Sequence, residues 1–345
     1  MIEKYFKKNR NLISSMNTKT LILSRKDIEP LLNMSECIEN VEEAFKAYGN
    51  DKVQMLPKMH IHFNKYNGIL AIMPAYIEPL DAVAVKVGTG HPSNPEKYGL
   101  PLVMATIILN DPKTGLPLAI MDGTAITAIR TGAAGAVAAK YLARKDSRNV
   151  AIIGSGVQGR MQLVGLNKIF EIEKARIYDV NTTSSRLFAK EMSGNLGLEI
   201  EVTRNEKAAV EEADIVTTVT PSRVPYLNES WIRPGTHINA IGADTEGKEE
   251  LDPKILNKAK IVVDNKDQSI TIGELNVPYA KGLIRKEDIY ADIGEIVSGK
   301  KAGRVSHDEI TVFDSSGLSI QDVAVASKVY QAAKKKRIGR LLQII

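Results

Sequence analysis

Three glycines, Gly154, Gly156 and Gly159, follow the apolar run Asn149-Val-Ala-Ile-Ile153 in the order G-x-G-x-x-G. That spacing suits a dinucleotide. The first glycine allows a tight strand-to-helix turn, the second lets a pyrophosphate approach the backbone, and the third brings helix and strand together. Taken alone, the pattern equally fits a turn without a ligand. Its context favours the ligand: the next apolar run, Ala175–Tyr178, ends at Asp179, twenty positions after Gly159. A carboxylate there accepts the ribose hydroxyls of NAD and repels a 2′-phosphate. NAD is therefore expected over NADP, with Arg186 near enough in sequence to soften the preference.

Two charged residues stand where charge is costly or exposed to a ligand. Lys86 interrupts Ala82, Val83, Ala84, Val85 and Val87, a strand with little polar surface; a buried, functional ammonium is expected there. Asp244 follows the apolar run Asn239–Ala243, in the loop beyond a strand end where open α/β sheets bind ligands, although a turn cap would use the same residue. His60 and His62 share one strand face without a third His or Cys nearby, so no metal is expected. Cys37, the single cysteine, cannot form an intrachain disulfide and reads as a core residue. Trp231 reads as packing.

These residues need two kinds of scaffold. Thr20–Leu23 reads as a first strand, Ser24–Asp27 as a capping box, and Ile38, Val41, Phe45 and Tyr48 as one face of a helix over 35–48. Short apolar or alternating runs at 59–63, 69–73, 82–87, 102–110 and 116–121 predict a mostly antiparallel sheet, with a hairpin turn at Asn67-Gly68. The Ala- and Gly-rich stretch 124–143 predicts a helix able to lie close to its neighbours and to connect two domains. Beyond it, strands at 149–154, 175–179, 199–203, 214–219, 236–241, 260–263 and 310–313 alternate with helical stretches. The expected fold is α/β, a Rossmann-type doubly wound parallel sheet beside an α+β domain with a mostly antiparallel sheet.

The length of 345 residues accommodates two cores. The basic ends, residues 1–10 and 334–340, carry +3 and +5 of a net charge of +5, which leaves a slightly acidic body. Such a body is a poor nucleic-acid binder. No apolar run approaches the length of a membrane span and no leader pattern is present, so a cytoplasmic protein is expected. Residues 1–16 have little apolar periodicity and are expected to form a disordered arm, with Met16 an alternative start.

Further segments carry a family resemblance: Met73-Pro-Ala-Tyr76, Lys86 through His91-Pro92 and Asn94, Ile126-Thr-Ala-Ile-Arg-Thr-Gly132, Thr217-Thr-Val-Thr-Pro-Ser-Arg223, His237–Asp244, Gly247-Lys248, Glu250-Leu-Asp252 and Phe313-Asp-Ser-Ser-Gly317. From about residue 17 to the end, the chain resembles the ornithine cyclodeaminase and mu-crystallin family, its archaeal alanine dehydrogenase branch above all. The resemblance implies a substrate-binding and dimerisation domain over 17–128, completed by 316–345, and an NAD-binding domain over 129–315, with the nicotinamide in the cleft between them. It implies that Lys86 holds the substrate carboxylate and takes part in proton transfer, that Lys58 is a second carboxylate-binding cation, and that Arg130 contacts carboxylate or cofactor phosphate. Asp244 would take or position the amine proton. Val157 and Gln158, with Gly154, Gly156 and Gly159, would lie on the pyrophosphate, Asp179 on the ribose, and Thr220, Ile241, Lys248 and Ser315 around the adenosine and nicotinamide.

Cyclodeaminases similar to this chain carry an acidic residue three before the Met-Pro proline; here Ala71 stands there, after Leu70. No carboxylate is offered to a distal ammonium, which favours alanine as substrate. The activity implied is the NAD-dependent interconversion of L-alanine with pyruvate and ammonia in a homodimer. The alternatives are ornithine cyclodeamination to proline, reduction of a cyclic ketimine such as pyrroline-2-carboxylate, and non-catalytic nucleotide binding of the mu-crystallin kind. Leu102 departs from a threonine that many members direct at the cofactor, which puts one nicotinamide-side hydrogen bond in doubt.

Overall fold

A computed structural model describes residues 18–344; the expected N-terminal arm, 1–16, lies outside the described residues. The chain divides into two units, one made of residues up to 32, 54–127 and 322 onward, the other of 33–53 and 128–321.

The first unit is built on strands β1 (Lys19–Leu23), β2 (Val53–Met55), β3 (Met59–Phe63), β4 (Gly68–Ile77), β5 (Ala82–Gly90), β6 (Val103–Asn110) and β7 (Pro117–Asp122), with a C-terminal strand Arg340–Gln343. Its sheet runs from the C-terminal strand through β1, β7, β6, β5 and β4 to β2, and β3 also pairs with β4. β3 to β7 pair antiparallel in chain order, while β1 lies parallel to β7. The β3–β4 turn uses Asn67 at φ 47°, a left-handed conformation that asparagine tolerates. The capping box forms as expected: Ser24 Oγ donates to Asp27 Oδ2 at 2.6 Å and the Ser24 N–H to the same oxygen at 2.9 Å.

The second unit holds a parallel sheet of β8 (Asn149–Ile153), β9 (Lys174–Tyr178), β10 (Glu199–Val202), β11 (Ile215–Thr218), β12 (His237–Ala240), β13 (Lys260–Val263), β14 (Ile289–Asp292) and β15 (Thr311–Asp314), in the order β10-β9-β8-β11-β12-β15-β13-β14. Fully buried Val150, Ile152, Leu163, Leu166 and Phe188 anchor one apolar cluster, and Ile153, Val216, Ile238, Leu251 and Val312 another. This is the doubly wound arrangement, with strand order reversing between β8 and β11. Helix Thr124–Leu142 meets helix Val157–Ile169 through small residues. A Cβ on Gly132 would lie 2.4 Å from the Met161 carbonyl oxygen, and one on Gly165 2.7 Å from that of Gly132.

Helix Met34–Gly49 lies in the second unit, whereas the division expected from sequence puts it in the first. Its partners explain the difference. Glu42 pairs with Lys140 at 2.7 Å and accepts from the Tyr141 hydroxyl, Tyr48 accepts from Asn265, and Gly49 abuts Gly294, where a Cβ would meet the carbonyl oxygen. Long-range contacts of this kind leave no local pattern. No helix among the described residues is long and apolar enough to cross a membrane.

Candidate functional site

The glycine turn lies at the strand-order reversal. Gly154, at φ +112°, brings its Cα so near the end of β11 that a Cβ would sit 2.6 Å from the Val219 carbonyl oxygen. A Cβ on Gly159 would be 2.2 Å from the Gly154 carbonyl oxygen, whereas one on Gly156 would meet nothing within 4 Å. The first and third glycines are thus required by packing, and the second leaves open space over the backbone. Helix Val157–Ile169 starts there, and its first N–H groups have no acceptor within the helix. The Gln158 Oε1 is buried without a hydrogen-bond partner. An anionic ligand with acceptor and donor groups fits these features.

Asp179 stands immediately after β9 and is already oriented. Its Oδ2 accepts from the Ser155 N–H at 2.8 Å and the Ser155 hydroxyl at 2.7 Å, and its Oδ1 from the Asn181 N–H at 2.9 Å. The carboxylate is therefore tied to the glycine turn itself and half-buried.

The loops after β11, β12 and β15 hold Thr220, Ile241, Asp244, Lys248 and Ser315. One buried carboxylate organises them. Glu250 Oε1 accepts from the Thr220 N–H and hydroxyl, both at 2.7 Å, and from the Tyr226 hydroxyl at 2.8 Å, while its Oε2 accepts from the Gly242 N–H at 3.0 Å. Glu250 thus ties the segment after β11 to the segment containing Ile241. Behind it, Glu274 accepts from the Glu250 and Leu251 N–H groups at 2.7 Å, and Asp314 accepts from the Glu274 N–H at 3.0 Å. Asp264 accepts from Ser316 Oγ at 2.9 Å and the Gly317 N–H at 2.6 Å. Burial pushes Glu250 up, pushes Glu274 well above the usual carboxylate range with the charge of Glu250 adding to the effect, and raises Asp314 to about 7.

Asp244 is mostly exposed and ion-paired: Lys248 Nζ lies 2.6 Å from its Oδ1 and also donates to the Gly242 carbonyl. Lys248, expected at the cofactor, is thus brought to the proposed proton acceptor. Arg130 is buried on helix Thr124–Leu142, donates to Gln321 Oε1 at 2.6 Å and leaves room for Gly317 only because that residue has no side chain; a Cβ there would lie 2.9 Å from Nη1. Ser315 is buried and its N–H donates to the Ala240 carbonyl.

In the first unit, Lys86 sits in the interior of β5, on a strand as expected. Its cross-strand neighbours are Met73 and Ile107, and its Nζ lies 2.7 Å from Asp322 Oδ2. Alternation along β3 and β4 puts His60, Ala71 and Met73 on the Lys86 face, and Lys58 lies just before β3. Ala71 stands between His60 and Gly88, so no carboxylate occupies either position directly opposite it.

Sequence reasoning missed Asp322, Glu250, Glu274, Asp264 and Asp314 as organisers, although Glu250 and Asp314 fall inside segments that carry the family resemblance. For Asp264 and Asp314 the available signal was a charged residue against an apolar run, Ile261–Val263 and Val312-Phe313, of the kind that singled out Lys86. The His60 and His62 rings meet edge to face with centroids 6.1 Å apart, and Cys37 is buried, its thiol pushed up to about 12. His237 is buried between Thr311 and Asn239, and burial lowers it to about 3.

The sequence profile of the ornithine cyclodeaminase/mu-crystallin family matches residues 18–337. The chain is 48% identical to an alanine dehydrogenase of Archaeoglobus fulgidus over 93% of this chain and 97% of that one. Its fold matches an archaeal alanine dehydrogenase dimer with bound NAD at a TM-score of 0.91, with 47% identity over 95% of this chain and 100% of the other. It matches Thermococcus litoralis Δ1-pyrroline-2-carboxylate reductase in complex with NADH and L-proline equally well, TM-score 0.91, with 45% identity over 93% and 99% of the two chains.

Proposed function

Because this chain belongs to the ornithine cyclodeaminase/mu-crystallin family, we propose that it is an NAD-dependent oxidoreductase interconverting L-alanine with pyruvate and ammonia. The observation that carries this reading is the 48% identity to Archaeoglobus fulgidus alanine dehydrogenase along nearly the whole of both chains. The cofactor assignment is supported by the open backbone at Gly156, the oriented Asp179 carboxylate, and the NAD and NADH in relatives' structures. A homodimer belongs to the same reading. It is supported by the archaeal dimer and by exposed Leu56, Met59 and Ile61 on or beside β3.

Bound at the glycine turn, NAD supplies a hydride acceptor for the substrate Cα–H. Gly154, Gly156, Val157, Gln158 and Gly159 cradle the pyrophosphate, Asp179 takes the ribose hydroxyls, and Thr220, Ile241, Lys248 and Ser315 line the remainder. Lys86, Lys58 and Arg130 hold the substrate carboxylate, which fixes the orientation of Cα. Asp244 accepts a proton from the alanine ammonium, freeing the nitrogen lone pair that must form the imine, and returns a proton to the nitrogen when water displaces it. Alanine, NAD⁺ and water yield pyruvate, ammonium, NADH and a proton.

A second reading, reduction of a cyclic imino acid to proline, is favoured by the 45% identity to the Thermococcus litoralis enzyme. It uses the same carboxylate-binding cations. Ornithine cyclodeamination is disfavoured by uncharged Ala71, since an unpaired distal ammonium would cost several kcal/mol. A substrate panel followed by NADH absorbance tests the choice, with alanine, pyruvate plus ammonium, and pyrroline-2-carboxylate, together with assay of proline from ornithine. Turnover of alanine and of pyruvate with ammonium is expected. Rapid pyrroline-2-carboxylate reduction with pyruvate inert would replace the alanine reading by the second one.

A further inference from the structure

Lys86 is paired with a carboxylate from the C-terminal helix. Asp322 lies in the first turn of helix Ser319–Lys336, where a carboxylate is favoured by the helix dipole, and it meets the Lys86 ammonium at 2.7 Å. Both side chains are nearly sealed from water, 5% and 2% exposed for Lys86 and Asp322. Around Lys86 in the sheet stand Met73 and Ile107. An ammonium in such surroundings is held by its counter-ion, because separating the charges or neutralising one leaves the other unsolvated. A group held in this way cannot readily give up and regain a proton during each turnover.

We propose that Asp322 is a positioning residue that keeps Lys86 charged and aimed, so that Lys86 acts as a fixed cation for the substrate carboxylate while proton transfer falls to Asp244. This rests on the carboxylate-binding role of Lys86 given above. The charge balance extends it. Lys86 and Asp322 together are neutral, so a substrate carboxylate needs a further positive charge, the role given above to Lys58 just before β3. Asp244, by contrast, has a side chain 54% exposed and so is open to solvent.

The test is Asp322→Asn in the full-length protein, with Asp322→Glu as the conservative companion. NADH affinity is measured by fluorescence, pyruvate binding to the NADH-loaded protein by thermal shift, and KM and kcat by steady-state kinetics. A carboxylate anchor contributes alike to ground and transition states, so its loss raises KM and leaves kcat nearly unchanged. For Asp322→Asn we expect the KM for pyruvate to rise about 10- to 100-fold, kcat to stay within about threefold, and the NADH Kd to stay at the parent value. Asp322→Glu should restore part of the loss, and it carries the same measurements if the asparagine variant does not fold. Parent-like KM in Asp322→Asn would overturn the proposal. So would a fall in kcat at constant KM, which would make Lys86 the proton carrier, or an equal weakening of NADH, which would mark a general loss of structure. If the parent reduces pyrroline-2-carboxylate and not pyruvate, the alanine reading fails while the Asp322 measurement proceeds with pyrroline-2-carboxylate, since both bear the carboxylate.

Discussion

Two ion pairs of almost equal length hold two residues assigned to chemistry, and they sit in opposite surroundings. Lys86 and Asp322 are 2.7 Å apart with side chains 5% and 2% exposed; Lys248 and Asp244 are 2.6 Å apart with side chains 20% and 54% exposed. Distance alone would rank them together. Burial separates them, because attraction between unit charges grows as water is excluded and the cost of stranding one partner grows with it. The buried pair is a fixed dipole that sets a position, and the exposed pair can open, exchange a proton and close again. One protein thus uses the same two residue types for a rigid task and a labile one.

The largest expected effect breaks each pair in turn. Lys86→Met strands a buried carboxylate and should destabilise the first unit by about 3–5 kcal/mol, whereas Asp244→Ala should change stability by no more than about 1 kcal/mol. Urea denaturation of both variants measures the contrast. The double variant Lys86→Met with Asp322→Leu should recover to within about 1 kcal/mol of the parent, since an apolar pair replaces the charged one. Activity should follow a different order: Asp244→Ala should lose about 100-fold or more in kcat, whereas Lys86→Met and the double variant should lose activity chiefly through a raised KM. Equal stability losses in Lys86→Met and Asp244→Ala would remove the distinction between the pairs.

The two regions also differ in how much the sequence disclosed. The glycine turn, β9 and Asp179 form a contiguous unit whose spacing reflects the ligand, so fold and candidate residues could both be read there. The fold class was legible throughout, because alternation and apolar runs are local. Strands β2, β14 and Arg340–Gln343 were not foreseen. The last of these has every residue exposed and is defined by pairing with β1, which no local pattern encodes. The Lys86 strand signalled that something must compensate its charge, but Asp322 lies in a distant helix, and only folding identifies it. The carboxylates Glu250, Glu274 and Asp314 were hidden for the same reason: their partners are backbone N–H groups, which every residue type except proline possesses.

Asp179 lies between the two extremes, half-buried and held by neutral donors rather than by a cation. Among the described residues no cation pairs with its charge, so it should repel a 2′-phosphate strongly. NAD is expected to bind at least about tenfold more tightly than NADP, or about 1.4 kcal/mol. Asp179→Ala should narrow that gap chiefly by weakening NAD, as titration of protein fluorescence with each cofactor would reveal. Equal binding of both by the parent would show that neutral donors do not sustain the charge as a cation does in the Lys86 pair.

The smallest effect concerns a buried carboxylate with no cation at all. Asp314 is as sealed as Asp322, but its partners are the Ser269 hydroxyl and the N–H groups of Glu274 and Leu275, and among the described residues no basic group lies within ion-pair distance. Burial raises it to about 7 from 3.8. The native protein therefore keeps a proton that the unfolded chain releases, so stability contributed by this group is full below pH 3.8, falls as pH rises toward 7 and levels beyond it. Asp292, raised to about 6, and Glu274, raised well above its usual value, act in the same direction. His237 opposes them: lowered to about 3 from 6.5, it adds stability as pH rises and is fully expressed by pH 6.5. Above that point only the carboxylates remain, and the melting temperature should decline from pH 6.5 to about 7.5. Asp314→Asn should flatten this slope, whatever it does to the melting temperature itself, because the variant has no proton to release there. An unchanged slope would mean that Asp314 is ionised throughout and that burial without a cation does not, in this protein, hold a carboxyl group neutral.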